Sequence, residues 1–298
     1  MKKAFMKNLL LALTGIFLAC RLSAQQDGGV YNTFKDRWVI NTYSVETLPR
    51  KKLDVRITHR FGDLAGDAGG WKSFYGLENA TDVSFGAEYG ASEHLTVGIA
   101  RSKGSGQLRQ LMSGLIKYRV LHQKEGGSPV SLTPAATLSV STSRKSSDPS
   151  SMTFFDKFSH RLVYAGQILA ARKFSDRFSL QLAAGLHHRN VVPAGDENNL
   201  VFTGLAFRLQ VTKTLGLIGD MTLPLNGKQS PFTNESGLTK YYMPIGLGLE
   251  FETGGHVFQL NFTNATGIMP TDYIPYTRSN WLDGQYRVGF TISRIFNL

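Results

Sequence analysis

Residues 286–298, YRVGFTISRIFNL, alternate apolar and polar side chains up to the carboxyl terminus. Tyr286, Val288, Phe290, Ile292, Phe296 and Leu298 fall on one side, and Arg287, Gly289, Thr291, Ser293 and Asn297 on the other. Successive side chains of a strand point to opposite faces, so the segment predicts a strand with one greasy wall and one wet wall. A chain that stops on such a strand is expected to be closing a sheet.

Working outward from it, eleven more segments of this kind precede it, giving predicted strands at 52–61, 80–89, 95–102, 108–121, 129–143, 159–174, 178–192, 200–212, 215–224, 240–251, 256–266 and 285–298. The clearest is the fifth, where Val130, Leu132, Ala136, Leu138 and Val140 alternate with Ser131, Thr133, Ala135, Thr137, Ser139 and Ser141. In the first, Leu53, Val55, Ile57, His59 and Phe61 alternate with Asp54, Arg56, Thr58 and Arg60. The sixth is the poorest, because Val163 and Leu169 fall on its polar side. The connections alternate in length: short turns at 90–94, 122–128, 175–177, 213–214 and 252–255, longer loops at 62–79, 144–158, 193–199, 225–239 and 267–284, with 103–106 the one short loop on the long side. Short periplasmic turns and long outer loops are the rhythm of a transmembrane β-barrel. Aromatic residues are expected at both headgroup boundaries, with Tyr89, Phe174, Phe178, Phe251, Phe258 and Phe296 at the inner rim and Phe61, Tyr241 and Tyr286 at the outer one.

The amino terminus predicts export. Lys2, Lys3 and Lys7 precede an apolar stretch from Leu9 to Ala19, and Leu22-Ser23-Ala24 makes a small-residue cleavage site before Gln25. Residues 1–24 therefore read as a cleaved signal peptide, with lipoprotein processing at Cys20 the alternative. Cys20 is the only cysteine, so thiol catalysis, cysteine zinc sites and disulfide frameworks drop out. After the signal no apolar run approaches the roughly 18 residues of a membrane helix. Composition agrees, with 31 Gly, 19 Phe and 11 Tyr, 18% charged residues and a mean hydropathy of −0.15.

The precursor carries a net charge of +11. Removing Lys2, Lys3, Lys7 and Arg21 takes the 33 basic residues to 29 against 22 acidic, or +7. These charges are scattered singly, without a basic helix or an aromatic RNA-binding motif, which argues against nucleic acid. Lumen lining and contact with outer-membrane lipids are the expected uses. By strand parity Arg56, Arg60, Lys117, Arg119, Arg161, Lys173, Arg189, Arg208 and Arg287 point inward, against Asp54, Asp82, Glu88, Asp220 and Glu250. Nine cations over five anions predict an anion-biased interior if a channel is continuous.

Catalytic patterns are scarce. No nucleophile elbow, phosphate loop, dinucleotide fingerprint or zincin helix occurs. His187 and His188 are adjacent, so in a strand they point to opposite faces and cannot share a metal ion. His59 lies on the apolar face with Thr81 on the next strand, inviting comparison with lipid hydrolases, but no outward Ser with an orienting Asn or Asp accompanies it. No cofactor is expected.

Several stretches resemble an uncharacterised, domain-of-unknown-function family of bacterial outer-membrane β-barrels. They are Val39-Ile40-Asn41 with Ser44-Val45-Glu46, residues 57–63 (ITHRFGD), 77–80 (LENA), 97–99 (VGI) with Arg101-Ser102, 171–181 (ARKFSDRFSLQ) and 188–193 (HRNVVP). The resemblance runs over most of the mature chain and implies fold and location, not an activity. The expectation is an all-β chain: a transmembrane antiparallel up-and-down barrel of about 12 strands over residues 52–298, preceded by a periplasmic or lumen-inserted segment at 25–51. Its expected role is a narrow, porin-like pore or transport component for small anionic solutes. A non-conducting barrel whose long loops dock a partner, and a lipid hydrolase, are the contrasting readings.

Overall fold

Strand β1 (Lys52–Phe61) hydrogen-bonds to β2 (Ala80–Gly90) on one side and to the carboxyl-terminal β12 (Arg287–Asn297) on the other. The second pairing, running from Lys52 opposite Asn297 to Arg60 opposite Gly289, removes the last free edge. Between them run β3 (Leu95–Ser102), β4 (Leu111–Tyr118), β5 (Ser131–Ser141), β6 (Leu162–Lys173), β7 (Phe178–Arg189), β8 (Asn199–Gln210), β9 (Leu215–Pro224), β10 (Ile245–Thr253) and β11 (His256–Thr263). In this computed structural model, which describes residues 32–233 and 240–298, the twelve strands form one closed antiparallel barrel with each strand beside its sequence neighbours. The expected signal peptide at 1–24, with Cys20, lies outside the described residues. Among the described residues no helix is long and apolar enough to cross a membrane.

The strands sit close to where the alternation predicts them. β4 is shorter than expected, because residues 119–130 leave the regular ladder and keep one isolated bridge, Leu121 to Leu132. β10 starts five residues late. Tyr241, expected on the outer lipid boundary, is buried in the preceding loop under the Arg278 guanidinium, 5.4 Å away. Within the inner aromatic set, Phe251 pairs with Phe258 across β10 and β11, and Phe174 lies 6.1 Å from Phe178. The tightest turn, Gly254-Gly255, has both φ angles positive (46° and 103°), the geometry a two-residue hairpin of the primed type needs.

Parity sorts the two faces. Ile57, Phe85, Ile99, Ile168, Leu186, Leu260 and Ile292 are exposed on the outer wall, whereas Asp54, Arg60, Lys117, Gln181, Arg189, Thr263 and Ser293 are buried inside. The interior is filled from both ends. Residues 33–48, apart from the half-buried Lys35, are buried within it as a hairpin, with Trp38 bridged to Tyr43 and the Ser44 amide donating to the Arg37 carbonyl at 2.9 Å. From the opposite rim the first part of the 264–286 loop, residues 264–277, folds inward and carries a short helix α1 (Pro270–Tyr276), every residue of which is buried.

The filling explains β6. Val163 and Leu169 face inward and are 2% and 0% exposed, because the inner wall is not uniformly wet. Leu169, Ala171, Ala135, Ala183, Ala206 and Ile218 make an apolar strip that packs against Phe34, Val39, Tyr43 and Val45 of the hairpin. Val163 joins a smaller cluster with Leu108, Leu111 and Phe155.

Replacing the outward Ile57 with arginine sets a charge in hydrocarbon and is expected to destabilise the folded barrel by about 2–4 kcal/mol. Equilibrium urea titration in lipid vesicles measures this, with Ile57→Val as the near-neutral control.

Candidate functional site

Two clusters of polar contacts, one at its base and one at its tip, fix the hairpin to the wall. At its base Asp36 and Arg37 face Asp54 and Arg56 of β1. Arg56 donates to both carboxylate oxygens of Asp36, the Nη1 bond being 2.9 Å, and Gln259 on β11 adds a third donor at 3.2 Å. Arg37 lies 2.8 Å from Asp54, and Arg56 lies 3.3 Å from the same carboxylate. With Arg37 also 3.3 Å from Asp36, two hairpin charges and two wall charges close into a ring of alternating sign. Burial opposes ionisation of Asp36, but Arg56 and Arg37 outweigh it and hold this carboxyl below the ordinary carboxylate range. Trp38 completes the contact, donating from Nε1 to Glu88 at 2.7 Å while its ring sits 5.9 Å from the Arg56 guanidinium.

At the tip, Asp220 on β9 accepts three successive backbone N–H groups, those of Ile40 (3.0 Å), Asn41 (2.6 Å) and Thr42 (2.9 Å), and the Asn41 side-chain amide at 2.7 Å. Such a concavity of consecutive amides is an anion nest, filled here by a wall carboxylate. Gly246 on the neighbouring strand makes this possible, since a Cβ there would lie 2.8 Å from Ile40 Cγ2.

The inward-folded loop is clasped in the same manner from the other rim. Asp82 accepts the amides of Ile268 and Gly104, each at 2.9 Å, and Asp272 on α1 accepts those of Ser105 and Gly106, also at 2.9 Å. Arg60 ties the two fillings together, donating to the Gly267 carbonyl of the loop and to Asn41 Oδ1 of the hairpin at 2.7 Å. Between hairpin, loop and the wall of β2 to β4 lies a cavity of about 30 Å³, lined by Trp38, Tyr43, Arg56, Glu88, Gly98 and Met269 among others. That is room for about two waters.

The nine basic residues expected along the lumen therefore divide. Arg56, Arg60, Lys117, Arg189, Arg208 and Arg287 are buried inside the barrel. Lys117 donates to the Glu46 and Arg37 carbonyls of the hairpin, Arg189 to Asp196 at 3.1 Å, Arg208 to Glu250 at 2.7 Å, and Arg287 to the Asn264 carbonyl at 2.7 Å. Lys173 ends β6, half-buried at the rim. Arg119 lies just beyond β4 and donates to the Glu93 carbonyl, and Arg161 sits in a 3₁₀ turn before β6, donating to the Ser141 and Ser143 carbonyls. Parity predicts the side of a strand but not where the strand ends. The five acids, Asp54, Asp82, Glu88, Asp220 and Glu250, are all buried in the interior.

Strand parity missed Asp36, Arg37, Asn41 and Asp272, which do not belong to the strands. The available signal was an Asp-Arg pair next to the bulky apolar run Trp38-Val39-Ile40. His187 faces the interior, its Nε2 3.3 Å from the Thr271 carbonyl, while His188 points outward to Asn199. His59 packs between Phe61 and Phe290, and the Thr81 hydroxyl donates instead to the Phe61 carbonyl at 2.6 Å.

A closed barrel with an apolar exterior and a buried polar interior defines a membrane-spanning β-barrel, the architecture of bacterial outer-membrane proteins. Residues 34–296 match the membrane bound beta barrel domain DUF5777, and the chain belongs to that family. No curated protein gives a significant match. Among solved structures, the NanC porin (8% identity, 83% of this chain and 99% of that one, TM-score 0.46) and the KdgM porin (8%, 83% and 99%, 0.45) are similar to it. So is the COG4313 outer membrane channel from Pseudomonas putida F1 (13%, 85% and 98%, 0.47). Likeness at this level carries no inference about what this chain conducts or binds.

Burial, and then the charge of Asp82, push the Asp272 carboxyl up to about 7, against the hydrogen bonds from Ser105 and Gly106. A carboxyl raised on folding stabilises fully below its ordinary value of 3.8, and that contribution is lost as pH rises through about 7. Amide protection of the 264–277 loop, corrected for intrinsic exchange, is expected to fall between pH 6 and pH 8 and to stay flat in Asp272→Asn.

Proposed function

We propose that the protein is an outer-membrane transport barrel held closed at rest by its own amino-terminal hairpin, which must shift for small polar solutes to pass. The observation that carries this reading is the filled lumen: residues 33–48 and 264–277 are buried inside the barrel, and the cavity where they meet the wall holds about 30 Å³. The wall itself is polar where the hairpin's charges dock. A barrel of about twelve strands lies between the side-chain-filled eight-stranded case and the open porin, so its interior is wide enough to conduct once emptied.

The hairpin is well seated. Phe34, Trp38, Val39, Ile40, Tyr43, Val45 and Leu48 are each at most 8% exposed, and burying one such side chain contributes about 1.5–3 kcal/mol before chain entropy is subtracted. Opening therefore needs something that competes for its contacts. The charge bias of the emptied lumen is modest, since six inward cations face five anions rather than the nine expected. Small anionic solutes fit this interior, with selectivity weaker than nine unopposed cations would give.

Breaking the ring of charges from the hairpin side favours the open state. Removing one member of a buried pair costs about 3–5 kcal/mol, or roughly two to four orders of magnitude in the closed-to-open ratio. In planar bilayers the wild-type protein is expected to be nearly silent and Asp36→Asn to show discrete openings. Silence of Asp36→Asn and of Asn41→Ala, both folded by heat-modifiable migration, would overturn the reading in favour of a docking barrel.

A further inference from the structure

The hairpin is a ligand that the chain supplies to its own lumen, so its contacts describe what else the wall can hold. We infer that the wall formed by Asp54, Arg56, Asp220 and Gln259 is a binding site for a zwitterionic, peptide-like solute, whose place Asp36-Arg37 and the 40–42 backbone take in the closed state. This inference rests on the proposed hairpin gate and names the class of solute that competes with it.

The wall presents a pair of opposite charges side by side. Asp54 and Arg56 are two apart on β1, on the same inward face, with one contact of 3.3 Å between them. Each keeps capacity unused: Asp54 Oδ1 and Arg56 Nε have no partner although both are buried. A monovalent anion would satisfy Arg56 and leave Asp54 facing a like charge. A monovalent cation would do the reverse. A molecule with adjacent positive and negative groups satisfies both, as Asp36 and Arg37 do. Buried charges left without partners are expensive, so the site discriminates against singly charged solutes.

Gln259 adds shape to this preference. Its amide donates to Asp36 Oδ2 at 3.2 Å and to the Trp38 carbonyl at 3.3 Å, bonding a carboxylate and a peptide carbonyl two residues apart. Lys117 likewise donates to two hairpin carbonyls, and Gln181 to the Tyr43 carbonyl at 2.8 Å. Asp220 accepts successive peptide N–H groups. Inorganic anions offer no amide groups, and sugars offer at most isolated acetamido groups rather than a row of successive N–H donors. Peptides offer both the row of donors and the carbonyls.

The separation sets a length. Asp220 is paired with Gly246, and Gln259 with Glu250, four residues further along β10, so the two subsites lie about 13 Å apart along the strand direction. An extended chain covers this in roughly four residues. The hairpin does it between Asp36 and the amides of residues 40–42.

The test uses the full-length protein carrying Asp36→Asn, which weakens the internal ligand and leaves the wall intact, with Asn41→Ala as the second such variant. The probe is the dye-labelled heptapeptide Lys-Asp-Arg-Trp-Val-Ile-Asn, the hairpin's own sequence from Lys35 to Asn41. Controls are the same peptide with Asn in place of Asp, and sodium acetate as competitor. Fluorescence anisotropy on heat-modifiable, folded protein reads binding independently of conductance. The Asp-bearing peptide is expected to bind at least tenfold more tightly than the Asn peptide, to resist displacement by acetate, and to lose that advantage when Arg56→Gln is added. In bilayers it should block the openings of Asp36→Asn in the same rank order. Equal binding of the two peptides, or no binding by either variant, overturns the site even if the variants conduct. Selective binding without any conductance keeps the site and overturns the gate.

Discussion

Closure of β1 on β12 is the constraint from which the remaining structure follows. A strand in hydrocarbon has no water to satisfy its amides and carbonyls, so a sheet can cross a membrane only if it has no free edge. Once the edge is gone, the two faces acquire opposite solvents. Ile57, Phe85 and Ile292 are exposed because lipid meets them, and Arg60, Lys117 and Arg189 are buried because the ring of strands encloses them. The usual inside-outside rule is inverted, and the polar residues become the ones that need partners.

Those partners come mainly from segments outside the strands. Asp220, Asp82 and Asp272 each accept backbone amides of another segment, and Arg60 and Lys117 donate to backbone carbonyls. The barrel thus treats the hairpin and the inward loop as peptide ligands, held by main-chain contacts on one side and by an apolar strip on the other. The result is an asymmetric seat. Leu169, Ala171 and Ile218 receive the greasy side of the hairpin, while Asp54, Arg56 and Gln259 receive its charges.

This asymmetry bears on function. The apolar strip gives the hairpin its affinity for the lumen without regard to sequence detail, whereas the charge ring and the Asp220 clasp require particular groups in particular places. A plug held by grease alone would answer to nothing in solution. In the proposed gate, a hairpin that also completes a set of buried charges is one that a molecule completing the same set can displace, which would link the closed state to solute chemistry.

The amino-acid sequence by itself determined the strands, their faces and the class of fold, because a period of two is a local property that each segment carries independently. It showed that β6 departs from the pattern, without showing why. The depth of each basic residue, which removed Arg119 and Arg161 from the inner wall, depended on where strands end, and that is set by pairing with neighbours. The hairpin's seat was out of reach altogether. Asn41 and Asp220 are 179 residues apart, and Arg37 and Ser293 are 256 apart. Nothing in either segment alone specifies the other, since the cost of leaving those buried groups unpartnered exists only after the barrel has closed around them.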